Sequence, residues 1–303
     1  MMSLLSYNRP LFIAEISSNH NGDLKRCLEM IDATAEAGCD GVKFQLFKIR
    51  ELFSTEAISK KPELLKRVEW ELKEEMIPTL SEYSRKKGLL FSVTPFYLNA
   101  VDVLNPYVDF FKIASYELLW KDLFIKCAST GKPLVFSVGM CIPEEISSAL
   151  DSLKNTAVNE IIILHCNSAY PTPVKDVNLS VIQTMRNTFS DYLPGKAIEF
   201  GWSDHTTLDS VMLSSVLKYD SKMVEFHIDL DGTGFEYKAG HCWLPDDIAR
   251  IIKMVNEART AVGDGIIAPS ESEIIEREWR ADLSDGLRPL IKTRAKLLNS
   301  DKI

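Results

Sequence analysis

Eight short runs of apolar, β-favouring residues recur along the chain, and a helix-like pattern separates each run from the next. Gly38, Gly88 and Gly131 stand where a glycine commonly ends a helix. Strands that are buried on both faces, as in a parallel sheet, have continuous apolar sequences. Eight strand–helix pairs predict a single α/β domain, a (β/α)8 TIM barrel; the alternative is a doubly wound open sheet with some strands miscounted. The strands are predicted at residues 11–16, 42–46, 89–94, 110–114, 134–138, 161–165, 197–202 and 223–228.

The regions between the predicted strands define the expected domain organisation. Helices are expected at residues 24–37, 70–87, 143–154 and 245–262. Residues 48–62 are expected to form a loop that is long enough to be a functional flap. The helical pattern stops after Val262, where Gly263, Gly265 and Pro269 interrupt it. We therefore expect a catalytic barrel at 1–262 and a short C-terminal extension at 263–303.

Charge and cysteine content exclude several classes of protein. The formal net charge of −8 argues against non-specific binding to nucleic acid. The six cysteines contain no C-x-x-C pair, which indicates reduced thiols rather than a disulfide framework or a zinc cluster. No stretch approaches the roughly 20 apolar residues that a membrane span requires. We expect a cytoplasmic protein with no nucleic-acid or membrane partner.

Polar residues cluster where the predicted strands end. In a TIM barrel, these carboxyl ends carry the active site. Burying Lys43 and Lys112 without partners would be costly, so the two lysines predict an anionic ligand with a phosphate or carboxylate group. Unrelated structural ion pairs are the alternative. The polar residues at or near the strand ends are Glu15, Lys43, Gln45, Thr94, Lys112, Ser115, Glu117, Ser137, Tyr170, Ser203, His205 and His227.

Two histidines and a glutamate suggest more specific chemistry. His205 and His227 follow or end adjacent strands and could chelate one divalent ion, with Asp204 and Glu225 as supporting partners. A pair of hydrogen-bonded core histidines is the alternative. Glu15 could be a general acid or base, or could form a salt bridge to one of the strand lysines. Neither a P-loop nor a G-x-G-x-x-G motif is present.

A series of motifs resembles the sialic acid synthase (N-acetylneuraminate synthase) family. They occur in the order IAEISSNHNGDL, GVKFQLFK, FSVTPF, FFKIASYE, VFSVGM, LHCNSAYPTP and GWSDHT. The resemblance implies a TIM barrel that condenses phosphoenolpyruvate with an open-chain amino sugar and releases phosphate. It also implies a divalent metal, Mn²⁺ or Mg²⁺, that polarises the sugar aldehyde, and a homodimer.

The resemblance implies roles for individual residues. Glu15 would be the acid/base residue, and Lys43 and Lys112 would stabilise charge on phosphoenolpyruvate. His205 and His227 would bind the metal. The remaining contacts to phosphoenolpyruvate would come from Thr94, Ser115, Ser137 and Ser203, and those to the sugar acceptor from Gln45, Glu117, Tyr170 and Lys238.

Three departures from the family pattern concern the acceptor. The family usually continues into an antifreeze-like domain that supplies a sugar-binding arginine, whereas this chain ends at Ile303. Phe226 replaces a residue that is commonly basic. Lys238 stands where an acceptor-binding aspartate is usual, and an ammonium can only donate hydrogen bonds. We therefore expect an intact phosphoenolpyruvate half of the site and a rebuilt acceptor half.

Three other functions are compatible with the same residues. A Schiff-base aldolase would use Lys112 as its nucleophile. A metal-dependent lyase would use the histidine pair without phosphoenolpyruvate. A non-catalytic subunit of a synthase complex would serve in binding or as a scaffold without converting substrates, although it would have no physical need to retain these polar groups.

Overall fold

The strands form a closed parallel barrel in the computed structural model, which describes residues 3–300. Each strand pairs with the next along the chain, and the first strand pairs with the eighth to close the barrel. A ninth strand, β9 (Cys242–Trp243), pairs with the end of the eighth strand beyond the part that contacts the seventh. The TIM-barrel prediction is confirmed, and the open sheet is wrong. The barrel strands are β1 Leu11–Glu15, β2 Gly41–Leu46, β3 Leu90–Pro95, β4 Phe110–Ile113, β5 Leu134–Ser137, β6 Glu160–His165, β7 Ala197–Asp204 and β8 Met223–Ile228.

Helices separate the strands and cover the barrel. In the first helix, α1 (Leu24–Glu36), the Asp23 carboxylate caps the first turn by accepting a hydrogen bond from the Lys25 amide, while Met30 and Ile31 are buried. Gly38 follows this helix with a φ of +82°, a conformation that favours glycine. The helices are α1 Leu24–Glu36, α2 Ile49–Leu52, α3 Thr55–Lys60, α4 Ile77–Lys86, α5 Leu98–Leu104, α6 Lys121–Ser129, α7 Pro143–Ser152, α8 Ser180–Phe189, α9 Asp209–Leu217, α10 Phe235–Ala239, α11 Pro245–Val262 and α12 Ile291–Ser300.

The segment between β2 and α4 differs from its prediction. Residues 48–62 contain α2 and α3 rather than an irregular loop, and a 3₁₀ segment, Pro62–Trp70, follows. The helix predicted from residue 70 begins at Ile77. The Ile49 amide donates a hydrogen bond to the Glu71 carboxylate at 2.7 Å, and the Lys48 ammonium lies 2.9 Å from the Glu74 carboxylate. These contacts tie the two ends of the segment together, which periodicity alone does not reveal.

Alternation along the strands divides the core into two layers. Phe12 and Ala14 belong to the cluster of apolar residues between strands and helices, whereas Leu11 and Ile13 belong to a second cluster. The second cluster also contains Leu4, which precedes β1. Glu15 continues the Leu11–Ile13 alternation at the end of β1. The barrel thus has an apolar layer below and charged side chains above it.

The chain divides into two compact units between Arg259 and Thr260, within α11. In the second unit, the Asp282 carboxylate accepts hydrogen bonds from the amides of Ser284 and Ile291. The proposed domain boundary after Val262 stays a prediction. None of the helices within residues 3–300 has the length and apolar character needed to cross a lipid bilayer.

Candidate active site at the carboxyl ends of the strands

Lys43 and Glu15 form a buried ion pair at the end of β1 and β2. The two residues are opposite each other in the strand register, and the Lys43 ammonium contacts the Glu15 carboxylate. The same ammonium donates to Thr94 Oγ1 at 3.0 Å and lies 3.8 Å from Glu225 Oε2. Burial lowers the pKa of Lys43 to about 7, although the Glu225 charge opposes this shift. Lys43 can therefore change its charge near neutral pH.

Glu225 connects the two strand lysines. Its Oε1 atom lies 3.3 Å from the Lys112 ammonium and accepts a hydrogen bond from Ser203 Oγ at 3.0 Å. Lys112 also donates to Ser137 Oγ at 2.8 Å. Burial alone would raise the pKa of Glu225, but the charges of Lys112 and Lys43 lower it. Glu225 was expected to support the histidines; its hydrogen bond and ion pairs are instead with Ser203 and the lysines, because its side chain points into the barrel between them.

The loop after β5 packs closely against the side chains that follow β6. Ser115 Oγ and Ser168 Oγ are 2.9 Å apart. A Cβ atom on Gly139 would lie 2.2 Å from Ser168 Oγ and 2.8 Å from Cys166 Sγ, so only glycine fits without movement. Thr94, Ser137 and Ser203 are connected through the lysines and Glu225, whereas Ser115 contacts Ser168.

The residues predicted to contact the acceptor lie nearer the barrel mouth. Gln45 is half-buried, and Tyr170 is exposed with its ring centroid 4.2 Å from that of His205. Burial raises the pKa of Glu117 to about 7, and its Oε2 atom is buried without a hydrogen-bond partner among the described residues. Lys238 is exposed on α10.

The imidazole rings of His205 and His227 lie close together, and the Nδ1 atom of each ring is hydrogen-bonded to an oxygen atom. Their ring centroids are 5.4 Å apart. Nδ1 of His205 is 2.7 Å from the Asn167 carbonyl oxygen, and Nδ1 of His227 is 2.7 Å from Glu236 Oε2. Burial lowers the pKa of His205 to about 3, so its imidazole is neutral at neutral pH. Donation of the Nδ1 proton leaves the Nε2 lone pair available, as a metal ligand requires.

Sequence reasoning missed Glu236. It lies in α10, in the loop after β8, and only 13% of its side chain is exposed. Its Oε1 atom accepts hydrogen bonds from the hydroxyls of Ser17 and Ser18, each at 2.6 Å, while its Oε2 atom lies 3.6 Å from His241 Nε2. The sequence offered one indication of this contact: Glu236 and His241 both follow His227 in the same predicted loop. Their approach depends on the path of the loop.

The loop that carries Glu236 is held from two sides. Arg26 of α1 pairs with Asp229 at 2.9 Å and with Asp231 at 3.0 Å. Asp229 Oδ2 accepts a hydrogen bond from the Gly234 amide at 2.9 Å. A Cβ atom on Gly234 would come within 2.6 Å of Asn19 Oδ1, so the loop packs closely on the segment after β1. These contacts position α10 at the barrel mouth.

Asp204 does not support the histidines as expected. Its carboxylate accepts hydrogen bonds from the indole nitrogens of Trp202 at 3.1 Å and Trp243 at 3.0 Å, and from Thr206 Oγ1 at 2.7 Å. These donors surround a fully buried carboxylate. Asp204 therefore joins β7 to β9 and has a structural role.

Comparison with known proteins identifies the family. The NeuB family model matches residues 30–267. The chain is 33% identical to N,N'-diacetyllegionaminic acid synthase of Campylobacter jejuni, over 88% of this chain and 81% of that protein. It is 30% identical to human N-acetylneuraminate-9-phosphate synthase, over 84% and 72%. The crystal structure of the N-acetylneuraminic acid synthetase of Leptospira borgpetersenii, solved with citrate, is similar with a TM-score of 0.76 and 30% identity, covering 90% of this chain and 92% of that one. The motifs, the barrel and these relatives agree that the chain belongs to the NeuB family of sugar-acid synthases.

Proposed function

We propose that this protein condenses phosphoenolpyruvate with an open-chain aldose and consumes one water, forming a sialic-acid-like 3-deoxy-2-keto sugar acid and releasing phosphate. The observation that carries the proposal is the buried layer in which two strand lysines meet hydroxyl donors at the carboxyl end of a NeuB-family barrel. Such a layer suits a small substrate with both a phosphate and a carboxylate group.

In this proposal, phosphoenolpyruvate binds to the lysine layer. Lys43 and Lys112 neutralise the phosphate and carboxylate, and the hydroxyls orient them. Glu225 holds both ammonium groups before the substrate arrives, so little reorganisation is needed when charge develops. The supporting hydroxyls come from Thr94, Ser115, Ser137 and Ser203.

Glu15 has the position required of an acid/base residue. Its carboxylate contacts Lys43 and is in register with both Lys43 on β2 and His227 on β8. Its Oε1 atom accepts a hydrogen bond from the Ser17 amide at 2.7 Å. We assign to Glu15 the holding and release of a proton at the reacting carbons, between the lysine layer and the histidines.

The histidines have the features of a cation site. The Nδ1 atoms of His205 and His227 are hydrogen-bonded to oxygen atoms, and the two rings are neighbours, so their Nε2 atoms are available to bind one metal ion. His205 and His227 would hold the metal, and imidazole ligands favour manganese over magnesium. When bound, a divalent cation withdraws electron density from the carbonyl group of an acceptor.

The acceptor would occupy the mouth of the barrel, above the lysine layer. Gln45, Glu117, Tyr170 and Lys238 are the proposed contacts. The raised pKa of Glu117 means that a substantial fraction is protonated near pH 7, so that it can donate a hydrogen bond to a sugar hydroxyl. The homodimer expected from the family resemblance, and the identity of the sugar, are open to direct measurement.

Phosphate release tests the function. The protein is supplied with phosphoenolpyruvate, Mn²⁺ and a panel containing N-acetylmannosamine, di-N-acetylated sugars and neutral hexoses or pentoses. We expect phosphate only when a suitable acceptor is present. If phosphoenolpyruvate fails to bind and no acceptor gives phosphate, the synthase proposal is wrong.

Borohydride trapping with pyruvate separates the synthase from a Schiff-base aldolase. We expect no adduct on Lys112, because its ammonium already contacts Glu225 and Ser137 as an anion-binding group would. A covalent adduct at this position would favour the aldolase.

A further inference from the structure

Glu236 is a nearly buried carboxylate with imidazole neighbours. Its Oε2 atom lies 2.7 Å from His227 Nδ1 and 3.6 Å from His241 Nε2. Throughout residues 3–300, no lysine or arginine forms an ion pair with it. A buried carboxylate requires a compensating positive charge, which either a protonated imidazole or a bound cation can supply.

The spacing of the donor atoms is close to that around a single ion. One ligand atom each from His227, Glu236, His241 and Cys242 can be chosen so that all lie within 4.8 Å of one another. Ligand atoms bound to one divalent ion at about 2.1 Å lie roughly 3 to 4 Å apart. The 3.6 Å between Glu236 Oε2 and His241 Nε2 already lies in this range. Coordination of Glu236 would replace its hydrogen bond with His227 Nδ1, so that the carboxylate turns toward an ion held at Nε2 of His227.

Other contacts orient Glu236 toward the histidines. Both hydroxyl donors, Ser17 and Ser18, bind Oε1, so that Oε2 is directed at the imidazoles. A coordinating carboxylate commonly has such hydrogen bonds on its other oxygen. His241 is only 5% exposed, and its Nδ1 atom has no hydrogen-bond partner within the described chain. The carboxylate and the third imidazole are thus placed by the fold at the cation site.

We propose that Glu236 and His241 bind one divalent transition-metal ion directly, together with His205 and His227. The loop after β8 would then add a carboxylate and a third imidazole to the two strand-end histidines, and a six-coordinate ion would keep positions open. The proposal deepens the proposed function, because it extends the metal site from the His205–His227 pair to a loop carboxylate and a third imidazole. Cys242 is not a ligand in this proposal, since its Sγ atom makes the contacts of a protonated thiol: it donates to Glu236 Oε2 at 3.8 Å and accepts from Asn19 Nδ2 at 3.4 Å.

Metal binding by the full chain tests the ligand set without any substrate. Protein freed of metal with EDTA is titrated with Mn²⁺ alone, and bound metal is measured after equilibrium dialysis. We expect Glu236→Gln and His241→Gln each to weaken binding by at least about tenfold, because even the loss of a residue that only supports a ligand costs about 10- to 100-fold. Glu160→Gln and His165→Gln are matched controls, a carboxylate that binds the Leu4 amide and an imidazole outside the cluster, and should bind Mn²⁺ like the unsubstituted protein.

Cobalt spectroscopy separates direct ligands from residues that only orient His227. In Co²⁺-loaded protein, each coordinated imidazole gives a strongly shifted exchangeable N–H resonance. We expect His241→Gln to remove one such resonance and His165→Gln to remove none. Glu236→Gln should change the visible ligand-field band, and the unsubstituted protein should show no thiolate charge-transfer band. If a glutamine variant does not fold, as judged by circular dichroism in EDTA, Glu236→Asp or His241→Asn replaces it.

Two results would overturn the proposal. One is unchanged Mn²⁺ affinity and unchanged imidazole resonances in both loop variants, with binding lost only in His205→Gln. The other is a Co²⁺ spectrum of the unsubstituted protein that shows a thiolate ligand. Failure of the proposed function is distinguishable, because the ligand set can be present in a protein that releases no phosphate from phosphoenolpyruvate with any acceptor.

Discussion

Glu15 and Lys43 face each other across the β1–β2 pair, and their carboxylate and ammonium groups are in contact inside the barrel. Only 1% of Glu15 and 3% of Lys43 is exposed, so the proton between them is shielded from bulk water. A shielded pair of this kind suits proton transfer that is coupled to substrate binding.

Replacing Glu15 with glutamine should reduce kcat by about 10²- to 10⁴-fold, the range for loss of a general acid or base. The KM for phosphoenolpyruvate should change far less, because the glutamine side chain is the same size and the lysine layer remains. Glu160→Gln is the control, since that carboxylate binds the Leu4 amide away from the proposed site. A Glu15→Gln enzyme with normal kcat would remove Glu15 from the acid/base role.

The loss of charge on Lys43 should produce a descending limb near neutral pH in the pH profile of kcat/KM for phosphoenolpyruvate. Its pKa is lowered to about 7, so the ammonium is charged below this pH and neutral above it. We expect kcat/KM for phosphoenolpyruvate to fall as the pH rises through about 7. In Lys43→Arg the limb should move to higher pH, because a guanidinium stays charged.

A matched variant identifies the group responsible for this limb. Burial also raises the pKa of Glu117 to about 7, so Glu117 titrates in the same range. The limb should persist in Glu117→Gln. If it disappears there and remains in Lys43→Arg, the titrating group is Glu117 and the assignment to Lys43 is wrong.

Glu225→Gln should destabilise the folded protein by about 3–5 kcal/mol, because it leaves two buried ammonium groups without their common carboxylate. Phosphoenolpyruvate, as an anion, should restore part of the lost charge balance. Thermal unfolding with and without phosphoenolpyruvate measures both effects. The ligand should raise the Tm of the variant more than that of the unsubstituted protein; an equal rise would mean that the anion binds away from the lysines.

Gly139→Ala should weaken phosphoenolpyruvate binding, because the new Cβ atom would collide with Ser168 and Cys166 and displace the loop after Ser137. Isothermal titration with phosphoenolpyruvate measures the loss. Gly88→Ala is the control: its added Cβ would meet no atom within 4 Å, and it bears only the strain of a φ of +79°. Normal binding by Gly139→Ala would show that this close approach does not shape the site.

Much of the candidate site could be predicted because barrel geometry converts strand position into spatial position. Once eight apolar runs define the strands, residues at their carboxyl ends must converge. Lys43, Lys112, Ser137 and Ser203 therefore come together although they are far apart along the chain. The family motifs add their expected roles, since those motifs coincide with the strand ends.

The partners of these residues depended on tertiary structure. Asp204 and Glu225 were both expected beside the histidines, but Asp204 lies against two indoles and Glu225 between two lysines. Adjacent strand-end positions can point into the barrel or away from it, and only the register and packing decide which neighbours they meet.

The sequence by itself determined the barrel, its eight strands and the polar residues at their ends, because apolar periodicity is a local signal that specifies buried strands. Only the tertiary structure decided that Glu236 and His241 join His227. Their approach depends on Arg26 holding Asp229 and on Ser17 and Ser18 binding Glu236, contacts between residues about two hundred positions apart. A loop path set by such long-range hydrogen bonds leaves no periodic pattern in the sequence.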